Sequence, residues 1–223
     1  MVSDNLEQRV FAPQEHGRRD FLRMISTVGL SLLLPARVHS SYRCDDLFTP
    51  TYYGPMITGQ VCHAHIDGIR YYEAQKDSQW CWAACIQMVF KHWGYDVQQP
   101  MIVKDAWGDI VNMPGTPLQI LMSLNREWTD DSGKKFTVRS DSFVLGPGTL
   151  AQELAANRPP ILGILGHAVV LSDIVYSGNN YGVTVNSANV LDPWPGRGEL
   201  LLSPTEFGYL QFAARIQVFP DLR

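Results

Sequence analysis

The run QWCWAACIQMVFKHWG, from Gln79 to Gly94, constrains this chain more than any other segment. Trp82, Cys85, Ile86, Val89, Phe90 and Trp93 recur at i, i+3, i+4, i+7, i+8 and i+11, which is one apolar stripe on an α-helix. Asp77 or Ser78 precedes it as an N-cap, and Gly94 stands where a left-handed C-terminal residue belongs. A helix this apolar must be central and buried. Its two thiols differ. Cys85 falls within the stripe, whereas Cys81 lies at its edge and in the first turn. There, unpaired backbone N–H groups and the helix dipole favour an anion, which lowers a thiol pKa and generates thiolate. Taken alone, that placement fits a structural cysteine as well as a nucleophile.

The rest of the chain arranges itself around this helix. IDGIRYYEAQ reads as a strand leading into it. Thr116-Pro117 opens a second helix over LQILMSLNREW, KKFTVRSD reads as a strand, and TLAQELAAN as a short helix. After Pro159-Pro160 the pattern turns to strands: ILGILGHAVVLSDIVY, YGVTVNSANVL, GELLLS and QFAARIQVF. Helices first and a mostly antiparallel sheet afterwards define an α+β fold.

With 223 residues, 45% of them hydrophobic, the chain has material for one globular domain that needs no disulfide framework. A net charge of −4 gives no electrostatic basis for binding nucleic acid. The N-terminus is of another kind. Arg18-Arg19, Phe21-Leu22-Arg23 and an apolar run from Met24 to Pro35 resemble a bacterial twin-arginine signal, too short to span a bilayer. Residues 1–40 are therefore expected to direct export and to be removed after Ser40. Five basic and four acidic side chains leave with them, taking the net charge from −4 to −5. No stable membrane association is expected after removal. Residues 41–67 form an arm, ordered over 41–65, and residues 68–223 the domain proper. Export permits disulfides, with Cys44–Cys62 as one pairing and Cys62–Cys85 as another.

A nucleophilic cysteine needs a base, and the chain has six histidines. His16 and His39 fall in the signal. His63 and His65, in CHAHIDG, form a short H-x-H beside Cys62 without a second ligand pair, so no metal or other cofactor is expected. His92 turns away from the stripe late in the helix, where a cation suits the dipole. His167 is a polar residue at the mouth of an apolar strand, and a buried imidazole requires a partner. If Ser177–Asn180 is the turn, Tyr176 pairs with Tyr181, paired numbers sum to about 357, and His167 faces Val190. Asp192 is then its diagonal neighbour, within reach of the ring.

These residues resemble the papain-like cysteine peptidases, in particular a compact bacterial branch that includes avirulence effectors and double-glycine leader peptidases. Cys81-Trp82-Ala83 matches the start of the family's central helix, Gly166-His167-Ala168-Val169 its histidine strand, and Asp192-Pro193-Trp194 the third member with its covering tryptophan. Gln75, six residues before the cysteine, matches the oxyanion-hole glutamine. The resemblance implies a papain-like α+β fold and a monomeric peptidase acting on a protein or peptide. In it Cys81, His167 and Asp192 are catalytic, Gln75 holds the oxyanion and Trp194 shields the His–Asp bond.

The chain departs from the family in spacing. His167 and Asp192 follow Cys81 by 86 and 111 residues, against about 130–150 in papain and the cathepsins. No cysteine stands three residues before Cys81, and no long propeptide separates the signal from the domain. Two other classes stay open at this stage: a papain-fold amidase or acyltransferase, and a non-enzymatic exported binding module. Substrate preference would reside in loops between 95 and 150, which carry no legible motif.

Overall fold

In the computed structural model, which describes residues 40–66, 71–142 and 146–221, the apolar stretch after Pro160 folds back on itself. It forms β5 (Ile161–Ile164) and β6 (His167–Asn179), joined by Leu165-Gly166 with φ of 50° and 78°. Two residues at positive φ give the turn whose twist matches the flanking strands. His167 is thereby the first residue of β6.

Thirteen-residue β6 organises the sheet. On one edge it pairs β5 over His167–Val170 and then β2 (Gly54–Ile66) over Asp173–Gly178. Its other edge carries β7 (Gly182–Asp192), which in turn pairs β8 (Gly198–Leu202). The sheet extends outward from β2 to β1 (Ser40–Thr51), and from β5 through β9 (Leu210–Pro220) and β4 (Lys135–Ser142) to β3 (Glu127–Thr129). Every pairing is antiparallel.

Both faces of the sheet are covered along the first part of β6, which explains why it reads there as an unbroken apolar run. Ala168 and Val170 pack with α1 (Cys81–His92), α2 (Gln99–Trp107) and α3 (Pro117–Leu124) on one side. Val169 and Leu171 pack with Leu150, Ala151 and Leu154 of α4 (Pro147–Ala155) on the other, where Phe207 of the short α5 (Pro204–Phe207) also sits. Successive β6 side chains enter opposite cores, as the period of two requires. The result is the expected α+β class.

Local chemistry sets the helix boundaries. Thr116 and Gln119 form a reciprocal capping box at α3, with Pro117 at its first position. Gly94 has φ of 87° after α1. The expected N-cap at Asp77 or Ser78 is corrected: the cap position is Trp80, whose side chain makes no capping bond. Nor is α1 merely striped, since Ala83, Ala84, Gln87 and Met88 are buried as well. His92, expected to turn away from the apolar stripe as a cation, is buried; its Nε2 lies 3.2 Å from the carbonyl of Asn157, and burial lowers its pKa. A neutral imidazole therefore ties the end of α1 to the loop after α4.

Helix α2 carries no strong start signal and was not anticipated. Of the segment expected as a strand before α1, Ile66 is the last residue of β2 and the described residues 71–75 are irregular. These are pinned instead by side chains and a loop carbonyl. Buried Gln99 accepts from Lys76 N–H at 2.8 Å and donates to Ala74 O at 2.9 Å, and Gln75 N–H donates to Pro193 O at 2.8 Å. The arm is a hairpin of β1 and β2 over its described residues. In its register Cys44 faces Cys62, and the two form a disulfide with Cα atoms 4.0 Å apart. The expected signal, save Ser40, lies outside the described residues. Among the described residues no helix is long and apolar enough to cross a membrane.

The tryptophans beside Cys81 fasten the next loop to the helix start. Trp80 Nε1 donates to Val111 O at 2.9 Å and Trp82 Nε1 to Met113 O at 3.2 Å. Gly115 then lies so close that a Cβ there would meet the Trp82 ring at 2.4–2.9 Å. Gly115→Ala is expected to displace that ring and destabilise the fold by about 1–3 kcal/mol, the range for overpacked cores. A urea titration against wild type measures it.

Candidate active site

Helix α1 packs across β6, so the helix's first residue and the strand's first residue meet. The Cys81 sulfur lies near enough to the His167 ring and to the backbone N–H groups of Ala168 and Trp82 for each of them to favour its thiolate. His167 Nε2 lies 2.7 Å from Asp192 Oδ1, which leaves Nδ1 for the sulfur. Asp192, only 1% exposed, also accepts from Trp194 N–H at 2.8 Å and from Arg197 Nη1 at 3.1 Å.

The hairpin that delivers Asp192 differs from its expected form. The β6–β7 turn is Asn180-Tyr181, with Asn179 paired to Gly182, because the Asn179 side chain caps the N–H groups of Tyr181 and Gly182. Paired numbers therefore sum to 361 rather than 357. Ser172 and Asn186 each bulge from the ladder, raising the sum by one and then restoring it. Continuing the register of Val170 with Leu191 puts Asp192 across from Val169. Asp192 is again diagonal to His167, but from the opposite side to that expected.

The electrostatics of the trio follow from this geometry. Burial pushes the Cys81 thiol up, but the His167 hydrogen bond, the Ala168 N–H, the His167 charge and the Trp82 N–H outweigh it, and its pKa is lowered. Burial opposes the charge on His167, yet hydrogen bonds to Asp192 and Cys81 raise its pKa to about 9. Burial likewise acts against the Asp192 carboxylate, and the bonds from His167 and Trp194 hold it below its ordinary value. Cys85 behaves oppositely: complete burial and the nearby charges of Cys81 and Asp192 raise its pKa well above the ordinary value. The site thus favours thiolate at Cys81, keeps His167 as imidazolium at neutral pH and leaves Cys85 a thiol. His167 protonation contributes fully to stability below about pH 6.5, and that contribution is lost as the pH rises through about 9.

The other two expected site residues occupy the same region with different contacts. Gln75 is buried, and its Nε2 donates to the carbonyls of Asp77 and Ser78, both at 3.0 Å. Both amide protons are thus used within the loop before α1. Trp194 stands edge-on to His167 with ring centroids 6.4 Å apart, but it is 48% exposed and borders the ring without enclosing it. Its backbone N–H, not its indole, makes the bond to Asp192.

Five contributors had no sequence signal strong enough to find them. Arg197 reaches Asp192 because β8 pairs Gly198 with Asp192, a register no motif announces. Gln87 and Gln99, both fully buried, bond each other at 3.0 Å and anchor the loop through Ala74 and Lys76. Val111 and Met113 act through backbone carbonyls, to which side-chain patterns are blind.

No protein-family profile matches the sequence, and no curated protein does. Among solved structures, a double-glycine-motif protease from an AMS/PCAT transporter, determined in complex with the leader peptide, aligns with TM-score 0.46 and 18% identity. The alignment covers 68% of this chain and 91% of that one. The peptidase domain of Streptococcus ComA, a bifunctional ABC transporter involved in quorum sensing, aligns with TM-score 0.46 and 20% identity. It covers 67% of this chain and 98% of that one.

The pairing of charges is directly measurable. Iodoacetamide should alkylate Cys81, and not Cys85, with a midpoint below that of an ordinary thiol. Asp192→Asn removes the carboxylate that holds the imidazolium, so the midpoint should rise. Arg197→Met acts one step further out, from an exposed position, and should raise it less.

Proposed function

We propose that this chain is a cysteine peptidase that hydrolyses peptide bonds through Cys81, His167 and Asp192. The observation that carries this reading is the chain of contacts from the helix-start thiol through His167 to a carboxylate buried at 1% exposure and held by two further donors. A merely structural cysteine needs neither a charged imidazole nor a dedicated orienting carboxylate.

The roles follow from position. Cys81 thiolate attacks the scissile carbonyl carbon, forming a C–S bond and pushing the carbonyl electrons onto oxygen. The tetrahedral intermediate collapses to a thioester as the C–N bond breaks, and His167 gives its proton to the leaving amine. Neutral His167 then takes a proton from water, which attacks the thioester and releases the acid and the thiolate. Asp192 holds the ring's Nε2 throughout, and the other ring nitrogen faces the sulfur. One oxyanion donor is the Cys81 backbone N–H, which as the first residue of α1 has no partner within the helix. The second is Gln75 Nε2, which must release Asp77 or Ser78 to make that bond. The reading includes export: a twin-arginine signal at 1–40 fits a domain whose Cys44–Cys62 disulfide belongs in an oxidising compartment.

The test is a mass-spectrometric cleavage profile on a proteome-derived peptide library, run beside a muropeptide digest. Wild type should cut peptides and leave muropeptides intact, and Cys81→Ala should lose roughly 10⁴-fold or more. Equal rates for the two proteins would end the proposal. The pH profile of kcat/KM should be a bell with its alkaline limb near 9, where His167 loses its proton. Gln75→Ala should lower kcat by about 10²–10³. If Gln75 acts on the oxyanion, iodoacetamide alkylation of Cys81 should stay at the wild-type rate, because that reaction needs no oxyanion donor. A parallel loss of alkylation would make Gln75 a strut of its loop.

A further inference from the structure

Away from the thiol, two strands bring together a donor set that the peptidase chemistry does not use. His63 and His65 alternate on β2, while Cys62 and Ala64 beside them enter the core on the other face. Both imidazoles therefore emerge on one side of the sheet. There the register pairs His65 with Asp173 of β6. His63 Nε2 lies 2.6 Å from Asp173 Oδ2, and the two rings lie 4.9 Å apart and tilted by 31°. One ligand atom from each of the three residues lies within 4.8 Å of the others, the one such trio among the described residues.

We propose that His63, His65 and Asp173 bind a zinc ion that clips the β1–β2 hairpin to β6. Ligands on one tetrahedral zinc sit about 3.3 Å apart, for bonds of about 2.0–2.1 Å. The trio's ligand atoms bracket that spacing, with His63 and Asp173 at 2.6 Å and none more than 4.8 Å from another. Two imidazole nitrogens with one carboxylate oxygen suit a borderline ion, not magnesium or calcium, which prefer oxygen alone. The Ser41 hydroxyl lies 2.8 Å from His65 Nδ1 and 3.3 Å from its Nε2. That hydroxyl supplies an outer partner of the kind that orients metal-bound imidazoles.

The position indicates a structural ion. Asp173 is six residues along β6 from His167, about 20 Å at strand rise, so the ion would not touch the reacting atoms. It complements the disulfide: Cys62 ties β2 to β1, and adjacent His63 ties β2 to β6. Nothing in this inference depends on the peptidase reading.

The experiment uses the full chain carrying Cys81→Ala, so that the thiolate–imidazole pair does not compete for metal. Chelator-stripped protein is titrated with Zn²⁺ by calorimetry and with Co²⁺ by visible absorption, and its thermal midpoint is recorded with and without zinc. One ion should bind per chain, cobalt should show tetrahedral bands, and zinc should raise the midpoint. Adding His65→Gln or Asp173→Asn should weaken zinc binding by more than the roughly 10–100-fold typical of losing an outer partner. It should also abolish the thermal shift. No stoichiometric zinc on the Cys81→Ala protein would overturn the proposal, as would binding unchanged in both added variants.

Discussion

Asp192 is a carboxylate taken almost completely out of water, and the fold satisfies it from three directions. A buried charge without partners would cost several kcal/mol and would simply protonate. Here the imidazole of His167, the backbone of Trp194 and the guanidinium of Arg197 converge on two oxygens. Those donors come from the start of β6, the turn after β7 and the lead into β8. Satisfying one group therefore aligns the start of β6 with the connection between β7 and β8. The ring so held keeps its proton to about pH 9, and that proton makes the Cys81 thiol acidic.

Around this interaction the fold works as a two-sided support. Strand β6 is buried on both faces, with Val170 in one core and Val169 in the other. The residues just after His167 are thus held by packing from α1 on one side and α4 on the other. The loop before α1 is treated differently: side chains and loop carbonyls fix it where no ladder reaches, through Gln99, Gln87 and Pro193.

Much of this was legible in the residues. Helix α1, the strands after Pro160 and the α+β class follow from apolar spacing, which physics ties directly to burial. Cys81 stands out from Cys85 because a helix's first turn differs electrostatically from its middle. The closeness of His167 and Asp192 was inferred from a turn placed differently from the real one; the diagonal relation holds in both registers because each preserves the face. His92 was misread because periodicity reports which side of a helix is apolar, and says nothing of a helix covered all round. Arg197, Gln87 and Gln99 were invisible because their partners are set by tertiary register. The contacts of Gln75 with Asp77 and Ser78 belong to the same category, since a six-residue spacing does not say where an amide points.

The two bulges between β6 and β7 carry a consequence for how this site can change over evolutionary time. Each is one extra residue on one strand, so the numbering slips by one while the partners and faces on either side stay matched. Without Ser172, Asp173 would still meet Asn189 and Leu171 would meet Val190; without Asn186, Val175 would still meet Ser187 and Tyr176 would meet Val185. Asp192 would stay across from Val169 in either case. The hairpin can therefore lose a single residue at either bulge, whereas a one-residue loss from the regular ladder turns the strand beyond it to the other face.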